Sequence, residues 1–538
     1  MKQLNGTDNL FLAMEKGNQT AHVAGLAIYD PATAPGGAVR FKDILKFYEA
    51  RLNVSKIFKR RLVRVPMDVD RPHWVDDAGI DIEYHIRHIA LPYPGDWRQL
   101  CIQIARIHAR PLDLSRPAWE AYVIEGLDNI AGVPPGAFAM YTKFHHAAID
   151  GEAGAALIGA LHSPAPTLKA ASGDEASVTV VDRDPTAVEL LSRAVGNNFN
   201  RMVLASKLVR ELAPVALGLG KKQLEAWRSG VEPEQAELNP RKAPKTRFNE
   251  ALSPHRVVEM LKLPLDEIQA IRKLCPGSTV NDVFMAVCGG ALHRYLKGKG
   301  ELPEETLNAQ MPVSTRGEVK NADAGVQIGT AVLPLFTGLD DDGQRLRKIH
   351  AAAGVAKQQM ELLGKDLAGR LFDVLPGAAA QLALKNLIIP KLNLTVSNVR
   401  GPSVPLYMAG AQLLAFMPIN MLLNGMGLSV TGFSYNGVLW VCLVADRKML
   451  PDPEAFRQAI ESSFQGLLAA ATAEAAACAR PAPKPARKSA AAAPAVRAPK
   501  RAPKRAAKPA AVETPAAFPG KTRRPSPASP RSKRAAAV

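Results

Sequence analysis

The C-terminal end of this 538-residue chain most constrains what the chain can fold into. Residues 480–538 carry 16 Lys and Arg against one acid, Glu513, within long runs of alanine and proline. A segment of this composition has too little apolar surface to offset the entropy lost on ordering. We therefore predict a disordered basic tail over residues 477–538, and any folded domain must lie before it.

The remainder of the chain has the composition of a globular protein. The chain is 47% hydrophobic with a formal charge of +18, most of which belongs to the tail, so residues 1–479 are nearly neutral. Its five cysteines lack CxxC spacing, which disfavours a zinc site and a disulfide framework. No secretion signal and no run of roughly 18 apolar residues is present. We expect a cytoplasmic protein that does not span a membrane.

Periodicity divides the region before the tail into three parts. Residues 1–162 mix strand-like runs, such as HVAGLAIYD, with helical ones, such as FKDILKFYEARL, and predict an α/β domain. Residues 163–245 contain a long amphipathic candidate helix with a basic polar side, which we interpret as an interdomain connection. Strands and helices resume over 246–476 and predict a second α/β domain.

The stretch FHHAAIDG, residues 144–151, is the strongest chemical signal. It lies between an apolar, partly alternating run and the helical pattern EAGAALIGALH, so the histidine pair is predicted to end a strand. Neighbouring strand residues point to opposite faces, so only one of His145 and His146 can act on a substrate. Histidine suits proton abstraction, because its ordinary pKa of about 6.5 leaves it mostly neutral near pH 7.

The two residues that close the stretch have supporting roles in this hypothesis. Asp150 would orient the ring or hold the loop by pairing with a distant arginine, and Gly151 would permit the sharp turn into the helix. The alternative is a pair of surface or core histidines beside an ordinary Asp-Gly turn.

HHAAIDG resembles the HHxxxDG motif of a superfamily that includes chloramphenicol acetyltransferase, carnitine acyltransferases and peptide-synthetase condensation domains. Further segments resemble the bacterial wax ester synthase/diacylglycerol acyltransferase family in particular. They include LNGTDNLFLAMEKG at the start, PLDLSRPAWEAYVIEGL before the histidines, and STVNDVFMAVCGGALHRYL, NLTVSNVRGPSVPLYMAGAQL and GLSVTGFSYNGVLWVCLVADRKMLPD after them. The resemblance covers roughly residues 4–475.

This resemblance implies a fold and a reaction. The fold would be two chloramphenicol-acetyltransferase-like α/β lobes with an active-site tunnel between them. The reaction would move a long-chain acyl group from acyl-CoA, a substrate, to diacylglycerol or a long-chain alcohol, with His146 as general base and no cofactor or metal. No GxSxG elbow is present, and neither a serine nor a cysteine adjoins the pair, so an acyl-enzyme is disfavoured.

Other site residues follow from the resemblance. Asn281 is the candidate donor to the oxyanion, with helix N-capping as its alternative. Asp282 belongs to the same motif, although a carboxylate in a first helical turn is explained by helix stabilisation alone. Arg316 is the expected partner of Asp150.

Pro117, Ala118 and Trp119 stand at the family's PLW triplet, which is thought to shape the acyl pocket. Ala118 replaces the usual leucine and puts chain-length preference in doubt, while Trp119 by itself would more often be a core residue. Further departures are Val326 and Ser429 where Asn is expected, and Arg400 where Pro is common. The i, i+3 pair His85 and His88 lacks a third ligand nearby and is predicted to be structural, not metal-binding.

Partners follow from lipidic substrates and from the basic segments. We expect peripheral, salt-sensitive association with the inner face of a membrane or with a lipid droplet, through the amphipathic connection and the tail. The alternative for residues 186–218 is that they simply pack across the lobes. The tail also has the character of a non-specific DNA or polyanion binder, or of a solubilising extension. A lipid-surface or nucleic-acid binding protein, and a superfamily member with another acceptor, remain alternatives to the enzyme.

Overall fold

The computed structural model describes residues 1–77, 79–149, 151–166, 183–229, 238, 242–314, 328–363 and 367–479. Of the predicted tail, residues 477–538, the part from residue 480 onward lies outside these residues, whereas residues 477–479 are the end of a helix and were wrongly assigned to the tail. The N-terminal part contains the strands β1 (Lys2–Gln3), β2 (His22–Asp30), β3 (Arg60–Val63), β4 (His73–Asp76), β5 (Ile86–Ala90), β6 (Trp119–Glu125) and β7 (Phe138–His145). Its helices are α1 (Gly6–Met14), α2 (Phe41–Glu49), α3 (Ile82–His85), α4 (Trp97–His108), α5 (Gly151–Leu161) and α6 (Ala187–Ser229).

The C-terminal part adds eight strands and six helices within the described residues. The strands are β8 (Arg256–Pro264), β9 (Asn308–Ser314), β10 (Ile328–Pro334), β11 (Leu394–Arg400), β12 (Tyr407–Met408), β13 (Ala411–Ile419), β14 (Leu428–Tyr435) and β15 (Val438–Asp446). The helices are α7 (Leu265–Ile271), α8 (Val280–Lys299), α9 (Asp342–Leu363), α10 (Leu367–Val374), α11 (Gly377–Ala383) and α12 (Pro453–Ala479). The α/β character predicted from periodicity is confirmed.

Two six-stranded sheets organise these elements. One has the order β12-β13-β2-β7-β6-β5 and the other β10-β9-β11-β14-β15-β8, while β1, β4 and β3 form a small third sheet. Strand β7, which ends at the histidine pair, is central in the first sheet, between β2 and β6. Burial of a central strand on both faces explains its nearly continuous apolar sequence.

Two strands from the C-terminal part complete the N-terminal sheet. Strand β13 pairs antiparallel with β2, from Gln412 opposite Asp30 to Ile419 opposite Ala24, and β12 pairs with β13. The range 246–476, predicted as one lobe, thus contributes to both sheets. Local periodicity predicts that β13 is a strand, and its alternating burial fits that pattern, but periodicity carries no information about the sheet that a strand joins.

Helix α8 lies in the main apolar core and is buried on nearly all sides. Its N-cap is Thr279, whose hydroxyl accepts a hydrogen bond from the amide of Asp282, and Gly300 ends it in the left-handed conformation that glycine adopts without strain. Such a helix is held by burial more than by amphipathicity, and Asn281 lies partly buried in its first turn.

Candidate active site

The histidine pair sits where β7 leaves its sheet. His145 is the last residue of β7 and lies opposite His22 of β2, with its backbone N–H donating to the carbonyl of Ala118 at 2.9 Å. The N–H of His146 donates to the carbonyl of Ala21 at 2.7 Å, and a turn then leads to Gly151, the first residue of α5. The strand, turn and helix predicted around this stretch are observed.

His145 is fully buried and its two ring nitrogens are both engaged. Nδ1 accepts a hydrogen bond from the backbone N–H of Ala147 at 3.1 Å, so the proton must reside on Nε2. Nε2 lies 3.2 Å from the carboxylate of Glu15 and donates to it. A ring held in this way positions the turn and has no free nitrogen for a substrate.

The ring of His146 has a different environment. It is half-buried and stacks on Phe11, with ring centroids 4.0 Å apart and planes inclined by 8°. None of the described residues hydrogen-bonds to its buried Nδ1. Burial above all, together with the neighbouring His145, lowers the pKa of His146 to about 4, against the opposing effect of the backbone carbonyls of His146 and Ile149. The imidazole is therefore neutral at physiological pH and able to accept a proton.

Helix α1 supplies the contacts that distinguish the two histidines, because Phe11 lies in this helix and Glu15 directly follows it. The helix is anchored at its start, where the amide of Gly6 donates to the Asp373 side chain at 2.6 Å and the Cα of Gly6 packs against the backbone of Phe372. The sequence pattern did not connect Phe11 or Glu15 with the histidines, since about 130 residues separate them along the chain.

The triplet before the motif lies beside the histidines and is buried. Ala118 accepts the hydrogen bond from His145 and packs in a small apolar cluster with Ala147. Trp119 is fully buried, its ring stacks on His85 at 4.5 Å, and its Nε1–H donates to the carbonyl of Phe58 at 3.1 Å. The structure thus gives Trp119 a core environment, and it brings Ala118 next to the motif.

Asn281 and Asp282, the two residues predicted at the start of α8, have different environments. Asn281 is not the N-cap, because Thr279 is, and its Nδ2 lies 3.0 Å from the sulfur of Met311. Asp282 accepts from the amide of Thr279 at 2.8 Å and lies 2.9 Å from Nδ1 of His350. The Asp282 carboxylate is therefore engaged in a capping box and in a contact with the His350 ring, whereas the Asn281 amide is not committed to the cap.

Some predicted residues lie outside the described part of the chain. Asp150, Arg316 and Val326 are among them, so their expected pairing and roles stay predictions.

The histidines with i, i+3 spacing have ordinary partners. Nδ1 of His85 lies 2.7 Å from the carbonyl of Trp119. His88 stacks on Phe41, and its Nε2 lies 3.0 Å from a carboxylate oxygen of Glu125. Within the described ranges, no group of three or more His, Cys, Asp or Glu side chains could hold a metal ion.

Comparison with known proteins identifies the family. The model described as wax ester synthase/diacylglycerol acyltransferase catalytic domain matches residues 4–284, and the one described as WS/DGAT C-terminal domain matches residues 324–468. The chain belongs to the wax ester synthase/diacylglycerol acyltransferase family. It is therefore an acyltransferase.

Members of this family in mycobacteria resemble the chain over nearly their whole length. A putative diacylglycerol O-acyltransferase of Mycobacterium tuberculosis is 32% identical over 469 residues, covering 86% of this chain and 98% of that protein. A probable diacylglycerol O-acyltransferase of the same organism is 31% identical over 467 residues, covering 86% and 97%.

Solved structures support the same assignment. The wax ester synthase/diacylglycerol acyltransferase from Marinobacter aquaeolei VT8 superposes with a TM-score of 0.60 at 28% identity, covering 87% of this chain and 100% of that one. The first condensation domain of the calcium-dependent antibiotic synthetase superposes with a TM-score of 0.52 at 14% identity, covering 88% and 96%, and shows a shared fold. The two-lobed α/β architecture expected from the resemblance is confirmed.

Besides Ala118, two departures from the family pattern, Ser429 and Arg400, lie within the described residues. Ser429 lies on β14 and is buried, and its hydroxyl has no hydrogen-bond partner among the described residues. Arg400 is the exposed last residue of β11.

Proposed function

We propose that this acyltransferase moves a long-chain acyl group from acyl-CoA to the hydroxyl of diacylglycerol or of a long-chain alcohol, with His146 as the general base. The observation that carries the proposal is the contrast between the two histidines: His145 is hydrogen-bonded at both ring nitrogens, whereas His146 is neutral and stacked on Phe11. The family membership supplies the reaction class.

The chemistry needs only one proton acceptor. With Nδ1 enclosed by protein, Nε2 of His146 would take the proton of the acceptor hydroxyl as its oxygen attacks the thioester carbonyl. When the tetrahedral intermediate collapses, the carbon–sulfur bond breaks and the imidazolium returns the proton to the CoA thiolate. The products are an ester and free CoA, and the base is regenerated.

A covalent acyl-cysteine does not fit the thiols that the structure describes. Cys101, Cys275, Cys288 and Cys442 are all buried, and burial raises the pKa of each thiol. A thiol with a raised pKa forms little thiolate at neutral pH and is a poor nucleophile. Direct transfer from CoA to the acceptor is therefore the simpler mechanism.

Asn281 is our proposed oxyanion donor, since its amide is free of the capping box at the start of α8. Loss of such a donor costs roughly 3 to 4 kcal/mol of transition-state stabilisation. We further propose that Asp150 pairs with Arg316 to hold the loop and that Gly151 allows the turn into α5. Pro117 and Ala118 would border an acyl tunnel between the lobes, where Ala118 leaves room that a leucine would fill. Trp119, predicted with them, would support them from the core, where it packs on His85 and bonds to Phe58.

Release of free CoA from palmitoyl-CoA, with hexadecanol, dipalmitoylglycerol or no acceptor, tests the proposal. Acceptor-dependent release should fall by a factor of about 10² to 10⁴ in His146→Ala. His88→Ala, which removes a histidine far less enclosed than His146, is the matched control and should retain wild-type release. Acceptor-dependent release that persists in folded His146→Ala would contradict the role of His146, and the ratio of the two wild-type rates names the preferred acceptor.

We also propose that the protein works at a lipid surface, at the inner face of the membrane or on lipid inclusions, because both acceptors partition into lipid. No helix in the described residues is long and apolar enough to cross a membrane. Contact of the tail with DNA is the competing use of residues 480–538, and it predicts salt-sensitive DNA binding that His146→Ala leaves intact.

A further inference from the structure

Helix α6 carries an exposed apolar stripe that points away from the protein. The stripe consists of Val188, Val195, Phe199, Met202 and Val209, whose exposed fractions run from 66% to 77%. At 100° per residue these five positions fall within one third of the helix circumference. Side chains of this size are rarely exposed together over six turns without a partner.

The opposite side of α6 is firmly attached, so the direction of the stripe is determined. Leu190, Ala194 and Leu208 are buried on that side. Asn197 and Arg201 both bond to the buried carboxylate of Asp70, at 2.8 and 2.6 Å. Between residues 188 and 209 the helix therefore has both a packed side and the exposed stripe, so over this part the alternative that residues 186–218 simply pack across the lobes does not account for the stripe.

A neighbouring turn extends the apolar surface. Met67 is 83% exposed and has a φ of 57°, a left-handed conformation that is uncommon for methionine. Val69, two residues later, is 44% exposed, and its carbonyl accepts a hydrogen bond from Asn198 of α6 at 3.1 Å. The turn is thereby tied to the helix and presents Met67 beside it. We call the α6 stripe together with Met67 and Val69 the docking face.

The charges on the outer part of α6 are predominantly positive. Lys207 and Arg210 are exposed and form no ion pair with any residue in the described ranges. The acids are neutralised within the protein, since Glu189 pairs with Arg183 and Arg193 and Glu211 pairs with Arg370. Free cations that flank an apolar stripe complement an anionic lipid surface.

We propose that the docking face binds an anionic lipid bilayer, with the stripe and Met67 inserted at the boundary between headgroups and acyl chains. This inference rests on the proposed use of lipidic acceptors and identifies the surface that meets them. A second copy of the chain is a poorer occupant, because Glu189 and Glu211 of that copy are already paired and would not neutralise Lys207 and Arg210.

The docking face is connected through helix α10 with helix α1, whose C-terminal end contacts the two histidines. Helix α10 packs against both α6 and α1, through the pair Arg370–Glu211 on one side and the bond from Gly6 to Asp373 on the other. A bilayer bound at α6 would therefore lie on the side of the protein where Phe11 and Glu15 are anchored.

Vesicle co-sedimentation of the full chain tests the proposal. Vesicles of phosphatidylcholine with phosphatidylglycerol would be used in about 0.15 M salt, and the basic tail, which is present in all three proteins compared, contributes equally to each. The variant Phe199→Ser/Met202→Ser removes the centre of the stripe, and the control Val54→Ser/Tyr93→Ser removes two exposed apolar side chains elsewhere. Wild type and control should bind equally, and the stripe variant should bind at least tenfold more weakly. Equal binding of all three would overturn the proposal, as would absence of wild-type binding.

Two further measurements identify the occupant and separate this proposal from the catalytic one. Tryptophan placed at Phe199 should be quenched by brominated lipid, whereas tryptophan at Tyr93 should not. If light scattering shows a dimer that the stripe variant loses while vesicle binding is unchanged, a second copy is the occupant and the proposal is wrong. CoA release with hexadecanol supplied in neutral detergent micelles, without vesicles, should be unchanged in the stripe variant, and failure of that reaction in wild type would contradict the catalytic proposal alone.

Discussion

Replacement of Phe11 by alanine should raise the pKa of His146 without touching any group that titrates. In the native protein the phenyl ring covers one face of the imidazole at 4.0 Å and keeps water from it. Burial is the main reason that the pKa of His146 lies at about 4. Opening that face to water restores part of the hydration of the imidazolium, so the pKa should move toward its ordinary value of about 6.5.

The size of the effect follows from the two limits. A base with a pKa of about 4 is about 97% neutral at pH 5.5, whereas one with a pKa of about 6.5 is only about 9% neutral. If the pKa of His146 shifted fully to about 6.5, the activity of Phe11→Ala at pH 5.5 would be about tenfold lower than its activity at pH 8, where His146 is neutral in both proteins. A partial shift gives a smaller loss at the same pH, always on the acidic side.

The assay is the pH profile of kcat/KM for acceptor-dependent CoA release, which reports the ionisation of the free enzyme. Wild type should show its acidic limb near pH 4 and Phe11→Ala a limb displaced upward. Phe11→Leu keeps an apolar cover without the stacked ring and should stay close to wild type. A wild-type limb near pH 6.5, or the same limb in all three proteins, would refute the reasoning that burial under Phe11 keeps His146 neutral.

Three predictions concern stability. Gly6→Ala would place its Cβ 2.1 Å from the carbonyl oxygen of Phe372, so we expect a loss of about 1 to 3 kcal/mol in urea unfolding, whereas Gly354→Ala, which meets nothing within 4 Å, should lose none. Asp446→Ala leaves buried Arg256 without its carboxylate partner and the amide of Ser253 without its acceptor, which should lower the free energy of unfolding by about 3 to 5 kcal/mol. A loss no greater than that of exposed Asp340→Ala would contradict this. Burial lowers the pKa of His22, His108 and His162 below about 6.5, so the unfolded chain binds more protons as the pH falls. The free energy of unfolding should therefore decrease from pH 6.5 toward pH 4, and unchanged urea midpoints at pH 7.5 and 5 would argue against that assignment.

Local elements were largely predictable because their signals are local. HVAGLAIYD is strand β2 over the full predicted length, and the run before the histidines is β7, ending at His145. The amphipathic pattern assigned to residues 186–218 is helix α6, which extends to Ser229. The N-cap of α8 is Thr279, two residues before Asn281, which was the alternative predicted for this position. Both residues are good N-caps, and only the reciprocal hydrogen bonds with Asp282 select Thr279.

The sequence by itself determined the α/β composition, the strand that delivers the histidine pair and the principle that only one of the two can face a substrate. Only the tertiary structure shows that His145 is bonded to Glu15 and that His146 stacks on Phe11, because these partners lie about 130 residues away along the chain. It also decided that β13 joins the N-terminal sheet and that one side of α6 stays exposed. Periodicity records which face of an element is apolar, whereas contacts between distant segments depend on how the whole chain packs.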